Sequence, residues 1–106
     1  MAKYLFKASY TLEGTKGLMK KGGSSRRAAV EEMARGFGGK LESFYFAFGE
    51  TDVYLIADLP DAASAAATSL TVNAAGGAKV TTIPLMTPEE MDVACKKSVK
   101  YRAPGR

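Results

Sequence analysis

Between Lys40 and Pro60 the chain reads KLESFYFAFGETDVYLIADLP, two runs with a two-residue period on either side of a Gly-Glu-Thr-Asp connection. The alternation predicts a β-hairpin, with Gly49 to Asp52 as its loop and Pro60 ending the second strand. In the first run, Phe44, Phe46 and Phe48 share one face, and Leu41, Tyr45 and Ala47 share the other. In the second, Val53, Leu55 and Ala57 oppose Tyr54 and Ile56. An antiparallel sheet with one wet face shows polar residues on that face. This hairpin carries bulk on both, so it belongs to a sheet that needs cover on both sides.

The flanking segments supply the rest of that sheet. KYLFKASY alternates, with Tyr4, Phe6, Ala8 and Tyr10 on one side and Lys3, Leu5, Lys7 and Ser9 on the other. TLEGTKGLMKKGGSS, rich in glycine, predicts a long loop with at most one helical turn around Thr15 to Lys20. A helix follows, capped by Ser24 or Ser25 and carrying Val30, Met33 and Phe37 at helical spacing beside Ala29 and Ala34. GFGG stops it. DAASAAATSLTVNAAGG predicts a second helix, capped by Asp61, closed by Gly76 and Gly77, with Ala63, Ala66, Ala67, Leu70 and Ala74 as its packing stripe. AKVTTIPLM predicts the fourth strand, with Pro84 suited to an edge. In TPEEMDVACKK, Thr87, Pro88 and Glu90 form a capping-box start for an added helix. SVKYRAPGR has no periodicity and extends outward. The order is that of a ferredoxin-like βαββαβ fold of α+β class, with an antiparallel four-stranded sheet and an added C-terminal helix. The 106 residues are expected to form one domain.

Two helices can cover only one face of such a sheet. The strands nevertheless place Leu5 opposite Phe6 and Ile83 opposite Val80. The expectation is a homo-oligomer, a homodimer or larger, with sheets packed face to face as a dimeric α+β barrel. The alternative is that the long loop and the C-terminal helix of the same chain cover the second face.

Composition narrows the chemistry. The chain has no histidine, which removes the commonest general base and metal ligand, and no metal site or cofactor is expected. The single cysteine, Cys95, excludes an internal disulfide and is read as a small buried residue. No apolar run reaches membrane-span length, and MAKYLFKASY lacks the apolar centre of a secretion signal, so a cytoplasmic location is expected. The net charge is +4, and two clusters hold most of the cations, one from Lys16 to Arg27 and one from Lys96 to Arg106. A solvated surface explains such clusters by default.

Arg26 and Arg27 raise a question, because cations in a first turn oppose the helix dipole by about 0.3–1 kcal/mol each. One answer is an anionic ligand held by them with Ser24 and Ser25. The other is a structural carboxylate: Glu31 one turn on, or Glu42, Asp52 or Asp58 of the hairpin. Tyr10, Glu42, Tyr45, Asp52 and Tyr54 lie on or beside the sheet and are the further ligand-binding candidates. A carboxylate buried beside a tyrosine is able to move a proton. The ordinary role of such aromatics is packing.

Taken together, KYLFKASYTLEGTKGL, GGSSRRAAVEE, GGKLESFYFAFGETDVYLIADLP and KSVKYRAPG resemble the GYD-domain family of small bacterial proteins, over nearly the whole chain. The resemblance implies a dimeric α+β barrel. The family's naming motif is glycine, a variable residue, tyrosine and aspartate; Gly49, Glu50, Thr51 and Asp52 match it except that Thr51 replaces the tyrosine. The resemblance carries no settled biochemical role. The leading expectation is a homo-oligomeric barrel protein that binds a small anionic or aromatic molecule. The alternative is a cofactor-independent oxygenase or isomerase. Single-stranded nucleic-acid binding ranks third, because no ribonucleoprotein-type aromatic signature is present.

Overall fold

The structure, a computed structural model, describes residues 1–106. The chain runs β1 (Ala2–Tyr10), α1 (Leu12–Lys21), α2 (Gly23–Gly36), β2 (Lys40–Phe46), β3 (Val53–Leu59), α3 (Ala62–Ala75), β4 (Ala78–Leu85) and α4 (Pro88–Lys96). The four strands form one sheet in the order β2-β3-β1-β4, every neighbouring pair antiparallel. This is the ferredoxin-like arrangement that the strand periodicities predict.

Register sets the two faces. Phe6 pairs with Leu55 and Thr82, Ala8 with Val53 and Val80, and Tyr4 with Ala57. The side chains of Tyr4, Phe6, Ala8, Val53, Leu55 and Ala57, with Leu59 of β3 and Ala65 of α3, form the buried core between the sheet and the helices. The opposite, open face carries Leu5 beside Ile56 and Ile83, and Lys7 beside Tyr54 and Thr81. Tyr45 extends that face next to Tyr54.

Four local expectations are corrected. The glycine-rich stretch after β1 is a ten-residue helix, α1, and not a loop. The Thr11 hydroxyl accepts from the Gly14 N–H at 3.2 Å and donates to the Gly76 carbonyl at 2.8 Å, so one side chain both caps α1 and ties it to the end of α3. Gly14 is there for proximity: a Cβ on it would lie 1.8 Å from the Gly77 carbonyl oxygen. Next, α2 starts at Gly23 behind Gly22, which turns the chain at φ 84°; Ser24 and Ser25 lie in its first turn and do not cap it. A β-bulge between Leu41 and Ser43 puts Leu41 on the core side with Phe44, where simple alternation separates them. Finally, the inward stripe of α3 is Ala65, Thr68 and Val72, whereas Ala63, Ala66, Leu70 and Ala74 are exposed. An alanine-rich helix has almost no apolar asymmetry, so its face is set by the sheet and not by its own pattern.

The open face is not covered by its own chain. Helix α4 starts with the expected capping box, Thr87 and Glu90 bonding reciprocally, but every residue from Pro88 to Arg102 is exposed. Cys95 is among them, so its expected burial is also corrected. The shape shows the consequence. The radius of gyration is 16.9 Å, where a compact chain of this length has about 13 Å. The accessible area is 7742 Å², against about 5,700 Å² for a compact monomer of this mass.

Candidate functional site

Helix α2 packs over β2 and β3, and α3 over β4 and β3, and between the two helices a cleft opens down to the sheet. Its volume is about 530 Å³, within the usual range of small-molecule pockets, about 300–1,000 Å³. Phe6, Ala8, Val53 and Leu55 form the floor. Val30 and Met33 of α2 and Thr68 and Val72 of α3 form the walls, and Leu18 of α1 closes one end. No aspartate or glutamate lines it.

The polar groups gather at the rim by the α1–α2 junction, where Tyr10, Lys21, Ser25 and Arg26 line the cleft. Burial raises the Tyr10 phenol above its ordinary pKa; Arg26 pulls it down, and Asp52 pushes it up. Tyr10 is thus a neutral hydroxyl at physiological pH, next to a fixed cation. The two arginines of the first turn have different roles. Arg27 Nε lies 3.6 Å from Glu31 Oε1, the structural pairing one turn on. Arg26 has no carboxylate partner. Its charge stands at the exposed end of an apolar cleft.

The structure therefore divides the sequence candidates into four groups. Tyr10, Ser25 and Arg26 meet at the cleft rim, while Ser24 and Arg27 do not line it. Asp52 is outside the cleft but bonds the Tyr10 backbone N–H at 2.8 Å. Glu42, Tyr45 and Tyr54 are on or beside the open face. There Lys3 bridges Glu42 and Asp58, the latter at 3.0 Å, and the Lys7 ammonium stands 5.9 Å from the Tyr54 ring centre. The hydrogen bonds that Lys3 donates to Glu42 and to Asp58 raise its pKa. Sequence reading missed Leu18 and Lys21, because α1 was not expected as a helix. A signal existed: Thr11 as cap, Glu13 in the first turn and Lys20 and Lys21 in the last match the helix dipole.

No group of three or more His, Cys, Asp or Glu side chains is placed to hold a metal ion. No helix is long and apolar enough to cross a membrane. Against known families, the model of the GYD domain matches residues 4–95. Comparison with curated proteins and with solved structures returned no match.

Proposed function

Because the chain belongs to the GYD-domain family, we propose that it is a cytosolic, homo-oligomeric α+β barrel protein that binds a small amphipathic anion in the cleft between α2 and α3. The observation that carries this reading is the unpaired Arg26 at the rim of an apolar cavity of about 530 Å³. An apolar body gains roughly 25 cal/mol for each Å² it removes from water there. A carboxylate or sulfonate end meets the guanidinium, the Ser25 hydroxyl and the Tyr10 phenol. The absence of any lining carboxylate favours binding over the oxygenase or isomerase alternative, since proton transfer at the substrate would have neither a carboxylate nor an imidazole to use.

The open face supports the oligomer. Leu5, Ile56 and Ile83 form an apolar band across three of its four strands, and an isologous pair of sheets covers both bands at once. The same face, with Tyr45 and Tyr54 exposed beside Lys7, also suits the bases and phosphates of a single strand. The two uses compete for one surface.

Titration with anilinonaphthalene sulfonate tests the ligand reading, with octanoate as competitor. The expected result is saturable fluorescence enhancement that octanoate reverses and that weakens in Arg26→Ala. Enhancement insensitive to both octanoate and the substitution would refute it. Salt-sensitive retention of a single-stranded oligonucleotide by the intact protein would instead favour the nucleic-acid reading.

A further inference from the structure

We propose that the C-terminal arm, Thr87 to Arg106, is a clasp that lies along a second copy of this chain. The inference rests on the oligomer reading above and adds to it the element that holds the copies together.

Three observations lead to it. First, the arm is built to be ordered yet touches almost nothing. Its helix carries a complete capping box, but a nine-residue helix is too short to persist alone in water. Met91, Ala94 and Cys95 recur at the spacing of one helical face, and Met91, Val99 and Tyr101 are 50%, 87% and 76% exposed. Second, the area fits. The chain exposes 7742 Å², about 2,000 Å² beyond a compact monomer of its mass. A standard interface takes about 800 Å² from each partner, and obligate homodimers take more. Every copy has the same excess, so two copies remove it symmetrically. Third, the arm starts where that partner would be. β4 is an edge strand, and Leu85, its last residue, pairs with Lys3 on the open face. A copy seated on that face is beside the root of the arm. The helix spans about 13 Å, and the following ten residues reach up to about 33 Å, enough to cross a four-stranded sheet about 19 Å wide.

No residue of the arm lines the cleft of its own subunit, and charge favours that separation. All the carboxylates precede Val93, and residues up to Lys96 are balanced; the net +4 lies on Lys97, Lys100, Arg102 and Arg106. The cleft rim is basic as well, at Lys21 and Arg26. A basic tail is repelled there, which separates the clasp from the ligand site.

Sedimentation velocity at micromolar concentration tests the clasp on three proteins: the full chain, a chain ending at Met86, and the full chain with Met91→Asp and Tyr101→Asp. Both replaced side chains are exposed within the subunit, so the double variant folds. The expected result is an oligomeric full chain, with subunit affinity weakened at least about tenfold in both variants. Cys95 should react about tenfold more slowly with a disulfide reagent in the oligomer than in the dissociated double variant. A full chain and variants that associate equally would overturn the clasp and leave the oligomer intact. A full chain that sediments as a monomer would overturn both.

Discussion

The Asp52 carboxylate accepts a hydrogen bond from the Tyr10 backbone N–H at 2.8 Å, and this contact fixes the hairpin loop to the end of β1. The Asp52 N–H donates to the Ala8 carbonyl, and its carbonyl accepts from the Ala47 N–H, both at 2.8 Å. One residue thus joins three segments. That is a structural reason for aspartate at the end of the Gly49–Asp52 motif, and it needs no aromatic ring at Thr51. Asp52→Ala should cost about 1.5–3 kcal/mol, the range for a lost bond to a charged acceptor, as measured by urea unfolding. Asp52→Asn, which keeps an acceptor, should cost less. Equal costs would mean that the carboxylate contributes nothing beyond shape.

The different surroundings of Arg26 and Arg27 give opposite outcomes on substitution. Arg26→Ala should weaken anilinonaphthalene sulfonate binding about tenfold, or roughly 1.4 kcal/mol, while stability holds or rises slightly as a cation leaves the helix start. Arg27→Ala should leave binding unchanged. Its loss of the Glu31 pair, worth about 0.3–0.5 kcal/mol, is offset by the same relief. The reverse pattern would place the anion elsewhere.

The four strands, the two faces of β1 and of β3, the Asp61 and Thr87 caps and the edge position of Pro84 were legible from residues close in sequence. What was not legible depends on contacts distant in sequence. Gly14 and Gly17 argued against a helix locally, yet Gly14 is required by the Gly77 carbonyl of another segment. The bulge that moves Leu41 inward leaves no composition signature. The cleft exists because α2 and α3 sit apart on the sheet. No single helix encodes that gap, so only the rim residues of α2 and β1 were visible beforehand.

Stability should fall at alkaline pH from two named groups. The Tyr10 pKa is raised in the fold, chiefly by burial, so the native state holds this proton after the unfolded chain releases it. The resulting stability is complete below the ordinary tyrosine value of about 10 and is lost as pH rises through the higher folded value. Lys3, raised by Glu42 and then Asp58, acts in the same direction. Tyr10→Phe should flatten the pH dependence of the urea midpoint in this range. At the acid end, Asp61 and Glu90 have lowered pKa values from their cap hydrogen bonds. Their contribution is present above the usual carboxylate range and disappears as pH falls through the folded values. Asp61→Asn should flatten that limb.

Thr82 gives the sharpest test of the core. It sits on β4 opposite Phe6, and its hydroxyl oxygen is buried without a hydrogen-bond partner. An unpaired buried hydroxyl costs about 1–3 kcal/mol. Valine keeps the branched shape and the strand preference while removing that oxygen. Thr82→Val should therefore stabilise the protein by about 1 kcal/mol. The neighbouring Thr81→Val, an exposed position on the other face, should change stability by less than about 0.5 kcal/mol. Destabilisation by Thr82→Val would mean that the hydroxyl has a partner in solution, and a water bridging it to the backbone would then be the group to locate.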